Sequence, residues 1–162
     1  MTIKDIVERI EKFIPGLKGY KEKELLREED LALRKKVEEI LNNTSSNLRL
    51  AEQSLVMAGI DPTFFEERVI QQLEVLRAWV TSAECGFGGL LDSVNVEEEE
   101  LKKVLENDCK LLELAEELRS SSKEVSTAID PQKVLGSAQD ILDKILKIRD
   151  LLENRKKILL GE

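Results

Sequence analysis

Asp30 and Asp108 are the two residues in this chain whose placement could do chemistry, because each stands where a helical apolar repeat calls for a hydrophobic side chain. A carboxylate at such a position must be paired, metal-bound or protonated, since an unpaired buried charge costs several kcal/mol. Two acids brought together could hold Mg²⁺, Mn²⁺ or Ca²⁺ through oxygen ligands alone. The ordinary alternative is an ion pair. Arg27 and Arg34 lie three and four residues from Asp30 and could form a local ladder with it. For Asp108 the cations in reach are Lys110 and, farther off, Arg77 or a residue of another helix.

The chain has no histidine among its 162 residues. That removes the commonest general base, the commonest transition-metal ligand and the Glu-x-x-His pattern of di-iron bundles. A cysteine nucleophile would likewise lack an imidazole partner. The remaining polar motifs have plain readings. Glu97 to Glu100 fit an exposed, dipole-matched first helical turn. Gly86, Gly88 and Gly89 follow no strand and precede no Lys-Ser/Thr, so they fit an inter-helix turn better than a phosphate cradle. Arg155, Lys156 and Lys157 complement the dipole at a helix end. Trp79 and Phe87 are expected in the core. No cofactor is expected, and Asp30 and Asp108 are the only candidates for a metal.

The elements that must carry these residues are helices. Charged residues make up 36% and hydrophobic residues 41%, with 3 Pro and 8 Gly, the profile of long amphipathic helices. Residues 1–14 read as a short helix, with Thr2 and Asp5 as a capping pair and Ile3, Ile6, Val7, Ile10, Phe13 and Ile14 on one face. Its polar face is charge-neutral, which favours docking on the protein's own core over a membrane surface. Four long helices follow, over 20–58, 62–85, 96–129 and 131–159. Their stripes alternate at three and four residues: Leu26, Asp30, Leu33, Val37, Ile40, Thr44, Leu48, Ala51, Leu55 and Ala58 in the first; Phe65, Val69, Leu73, Leu76, Val80 and Ala83 in the second. The third carries Leu101, Val104, Asp108, Leu111, Ala115, Leu118, Ser122, Val125 and Ile129, and the fourth Val134, Ala138, Ile141, Ile145, Ile148, Leu152, Arg155 and Leu159. Asn42 to Asn47 prefer turns to helix interiors, but the stripe resumes beyond them on nearly the same face, so one continuous helix is expected. Asp61-Pro62 and Asp130-Pro131 read as helix starts, as does the Asn95/Glu98 capping pair.

The expected fold is all-α, an antiparallel up-down bundle of four long helices plus the short N-terminal one, in a single domain over 1–162. The repeat predicts shallow crossing angles near +20°. Within such hairpins Cys85 and Cys109 would stand about 20 Å apart at 1.5 Å per residue, too far for a disulfide. The net charge of −8 disfavours nucleic acid. No stretch is apolar enough to span a membrane and no signal-peptide pattern opens the chain, so a cytoplasmic location is expected.

The stretch Pro15-Gly16-x-x-Gly19-Tyr20 with Arg27, Asp30 and Arg34 resembles the opening of a family of small all-helical prokaryotic proteins with no assigned activity. A later segment like Gly86-Phe87-Gly88-Gly89-Leu90-Leu91-Asp92, a Val-x-Glu start and an acid at the place of Asp108 are similar to that family too. The resemblance spans roughly Pro15 to Leu118. Leu91 and Leu105 depart from it, standing where aromatic residues are usual. It implies a helical fold and no particular reaction. It also suggests that the two glycine bends meet at one end of the bundle, gathering Tyr20, Arg27, Asp30, Arg34 and Asp108 into one polar cluster.

Three functions compete on these grounds. The favoured one is a non-enzymatic interaction or scaffold protein that self-associates or binds partner helices through its apolar seams. The alternative is a carboxylate-based divalent-metal or small-ligand site, with or without catalysis, at Asp30 and Asp108. The third, membrane remodelling with residues 1–14 as lipid anchor, is the weakest, and peripheral membrane contact is not expected.

Overall fold

The computed structural model describes residues 1–16, 22–82 and 97–162, and within these the side chains from residue 28 onward in the second helix. Tyr20, the side chains of Leu26 and Arg27, Ala83, Cys85, Asn95 and the glycine-rich Gly86 to Asp92 segment lie outside the described residues. Every regular element among the described residues is helical. No helix among them is long and apolar enough to cross a membrane.

Helix α1, Ile3–Ile10, starts on a capping box in which the Thr2 and Asp5 side chains each bind the other's backbone N–H. Its apolar face is buried, with Ile6 and Ile10 in the main core. Helix α2, Glu22–Met57, runs unbroken through Asn42 to Asn47. The polar stretch stays helical because its side chains are satisfied. Thr44 and Ser46 donate to the carbonyls of Ile40 and Asn42 one turn back. Asn42 accepts from Arg77, Ser45 donates to Glu74 and Asn47 donates to Ser122. Groups that would otherwise compete with the helix backbone are engaged without leaving it.

Asp61 starts the next helical run by accepting from the backbone N–H and hydroxyl of Thr63. The run is not the uniform helix that its spacing predicts. A short α3, Thr63–Phe65, passes into five π-helical residues, Glu66–Ile70, and then into α4, Gln71–Thr81. The Gln71 amide closes the wide turn on the Glu66 carbonyl. Phe65, Val69, Ile70 and Leu73 all enter the core across this stretch.

Helix α5, Glu98–Ser126, is capped by Glu97, whose backbone N–H donates to Glu100 Oε2 at 3.4 Å; the expected Asn95 cap lies outside the described residues. It buries more than its stripe, including Leu105, Asn107, Cys109 and Leu112, because α1, α2 and α6 all pack against it. Helix α6, Pro131–Leu160, starts on Asp130, which accepts from Gln132 N, and ends at Gly161 with φ 73°. Only glycine takes that left-handed conformation at little cost. Ile129, expected on the α5 stripe, is instead 99% exposed, since α5 ends three residues earlier and the chain turns there.

Candidate functional site

Four charged side chains from three helices converge in the core. Helix α2 supplies Glu29 and Asp30, α5 supplies Asp108, and α6 supplies Arg155; none is more than 5% exposed. The Arg155 guanidinium binds all three acids at once. Its Nε reaches both Asp108 oxygens at 3.0 Å, Nη1 reaches Asp30 Oδ1 at 2.7 Å and Nη2 reaches Glu29 Oε2 at 3.1 Å. A planar, five-donor guanidinium suits this task, because its fork serves several carboxylates in one plane.

Beside it, Asn107 donates to the Leu151 carbonyl at 2.9 Å and accepts from Asn154 at 2.8 Å. Two consecutive residues of α5, Asn107 and Asp108, therefore hold two consecutive residues of α6, Asn154 and Arg155.

The charge balance of the cluster sets its protonation. Among the described residues, three ionised acids would face a single cation, Arg155, in a site shut from water. Burial first, then the neighbouring Asp108 charge, raise the Glu29 pKa well above the ordinary carboxylate range, against the opposing pull of Arg155. Glu29 Oε1 is buried and receives no donor, so a proton on Glu29 directed at Asp108 meets both needs. For Arg155, burial works against the charged form, but the charges of Asp108, Glu29 and Asp30 outweigh it and raise its pKa above the ordinary arginine value.

Because the Glu29 pKa is raised above the unfolded-chain value of 4.5, folding favours the protonated carboxyl. Wild-type stability should fall as pH rises above that value toward the raised folded pKa of Glu29. The variant Glu29→Gln, neutral at every pH, should lack this slope and equal or exceed wild type at pH 8. Urea denaturation of both proteins at pH 5 and pH 8 reads the difference. A Gln variant that loses equally at both values would show that Glu29 is ionised in the fold.

The sequence-derived candidates distribute unevenly. Asp30 and Asp108 meet on one guanidinium. Arg34 does not form the expected ladder with Asp30; it donates instead to the Ser82 carbonyl at 3.3 Å. The reason is local: Arg155 already serves Asp30 from the core side, while the Ser82 carbonyl at the end of α4 is within reach of Arg34. Tyr20 and the Arg27 side chain lie outside the described residues.

Arg155 itself corrects the reading of Arg155 to Lys157 as a dipole-matching surface run, because its side chain is only 1% exposed. Glu29 and Asn107 carried no signal of their own. Glu29 stands four residues before Leu33, and Arg155 fits the α6 stripe between Leu152 and Leu159, which is the clue that links them.

Chemically, the arrangement satisfies its acids with a guanidinium that keeps its proton. No group of three or more acids or cysteines among the described residues is disposed to hold a metal ion. Cys109 is a buried free thiol whose pKa burial pushes up. No family model, curated protein or solved structure matches the chain.

Proposed function

We propose that this chain is a non-enzymatic helical interaction protein that receives a partner helix, from a second copy or another protein, in the groove between α4 and α6. The reading rests on that groove. It measures about 490 Å³ and is lined by Val75, Leu76, Trp79 and Leu160, with Arg149, Lys156 and Lys157 and the acids Glu153 and Glu162 along its edge; Arg149 is paired with Glu153 at 3.5 Å. Val75 and Leu160 are well exposed, at 57% and 43%, and large apolar side chains beside a cleft mark interaction surfaces. An apolar floor with charges of both signs along its edge suits an amphipathic helix.

The proposal includes an up-down-up-down course for the four long helical runs. Supporting it, side-chain partners of α2 and the following run descend against each other, from Asn42 with Arg77 to Arg49 with Glu66. Partners of α5 and α6 also run in opposite order, Asp108 with Arg155 and Ser121 with Lys144. In this arrangement α2 and α5 stand side by side and point the same way, consistent with the Asn47–Ser122 bond lying beyond the Arg155 cluster along both helices. A cytoplasmic location, in keeping with the free Cys109 thiol, belongs to the same reading.

Trp79 is the chain's only tryptophan and sits in the groove wall, so its emission reports on occupancy. Light scattering should show a species above the 18.4 kDa monomer, or fluorescence should show a blue shift of Trp79 emission on adding amphipathic helical peptides. Val75→Glu, which places a charge in the groove at an exposed position, should abolish either response with helix content unchanged. A strict monomer at every concentration, with Trp79 emission indifferent to such peptides, would overturn the reading.

A further inference from the structure

A second group of acids, far from Arg155 along α2, gathers where α2 meets the π-helical turn. Arg49 of α2 reaches Glu66 at 3.0 Å, Glu52 at 3.9 Å and Glu74 at 4.0 Å. Glu74 of α4 is also bound by Arg77 at 2.7 Å and by Ser45 at 2.8 Å. Three acids thus face two arginines. Glu74 is well provided with donors and its pKa is lowered, as Ser45 and the two arginines outweigh its burial. Glu52 is the poorly served member. Its Oε2 is shut from solvent and receives no hydrogen bond, since Arg49 at 3.9 Å is too distant to give one.

Glu66 is the first residue of the π turn, and its backbone carbonyl closes that turn with Gln71. π-Helical turns widen the backbone and are frequent at functional sites. Here the widened turn carries, at its opening residue, the carboxylate that shares Arg49 Nη1 with Glu52, at 3.0 Å and 3.9 Å.

We propose that Glu52 and Glu66 share one proton and, with Arg49, form a proton-dependent clasp holding the π turn of Glu66–Ile70 against α2. The proton gives the undonated Glu52 oxygen its hydrogen bond and removes one of two adjacent negative charges. Hydrogen bonding to Glu66, then burial, then the Glu66 charge raise the Glu52 pKa to about 7, against the pull of Arg49. Arg49 and Glu66 are the charged groups acting on Glu52 among the described residues; Glu74 and Arg77 of α4 complete the cluster behind them. Above neutral pH the proton leaves, two carboxylates compete for one Arg49, and the hold on the turn weakens. The device works whether or not a partner helix occupies the α4–α6 groove.

The test is a pH titration of the full chain by NMR from pH 5 to pH 9, following the Glu52 side-chain carboxyl carbon and the backbone amides of Glu66 to Ile70. In wild type the carboxyl carbon and those amides should titrate together with a midpoint of about 7. In Glu52→Gln, whose amide keeps a donor for Glu66, the amides should lose that midpoint. Titration of Glu52 in the ordinary range near 4.5, or amides that keep the neutral midpoint in Glu52→Gln, would overturn the proposal. So would Glu66 to Ile70 amides that stay unmoved while Glu52 titrates.

Discussion

Arg155→Met should cost about 3–5 kcal/mol of folding stability, the expected loss when one partner is removed from a buried ion cluster. Typical domains are stable by only about 5–15 kcal/mol, so the variant should be visibly compromised in urea denaturation at pH 7. The magnitude follows from what remains. Asp108 loses two bonds of 3.0 Å and Asp30 one of 2.7 Å, while the Glu29 interaction also goes. Methionine fills much of the volume but donates nothing. A companion variant separates pairing from packing: Asp30→Leu, Asp108→Leu and Arg155→Met together, with Glu29→Gln, should recover most of the loss, because an apolar replacement of a whole buried cluster is often neutral or stabilising. A wild-type midpoint for Arg155→Met alone would show that the cluster does not form.

Phe65→Ala should cost a similar amount, about 3–5 kcal/mol for truncating a fully buried phenylalanine. Phe65 is completely shut from solvent and is the last residue before the π turn. Its ring anchors the start of the turn in the core, where Val69 and Ile70 follow within six residues. Removing the ring should therefore both open a cavity and withdraw one reason for the π turn. Thermal unfolding measures the first effect. Altered amide shifts confined to Glu66 to Ile70 would mark the second, and a loss below 1 kcal/mol would show that the site collapses around the missing ring.

The helical fold was legible because spacing reports faces. Every stripe residue assigned to α6, from Val134 to Leu159, is buried, including Arg155. Helix α2 likewise stayed continuous through Asn42 to Asn47 as its stripe implied. Spacing does not report partners. Glu29 is next to Asp30 and about 100° away around the helix, so one narrow stripe could include only one of them; both are buried because α5 and α6 meet α2 at that point. The π turn was hidden for a different reason. Phe65, Val69 and Leu73 are spaced by two intervals of four, but so are Ile40, Thr44 and Leu48, where the helix remains regular.

Long apolar stripes have a weakness: leucine and isoleucine pack nearly as well one turn up or down. Helices α5 and α6 would be open to such sliding if their seam were uniform. Asn107 and Asp108 prevent it, because the positions of α6 one and two turns before Arg155 are Leu152, Leu151 and Ile148, and those after it are Ile158 and Leu159. In an alignment shifted by one turn, Asp30 and Asp108 meet hydrocarbon and no cation. The penalty of several kcal/mol for an unpaired buried charge then falls on the wrong alignment alone, making Arg155 a ruler mark that tells the two helices where to stop.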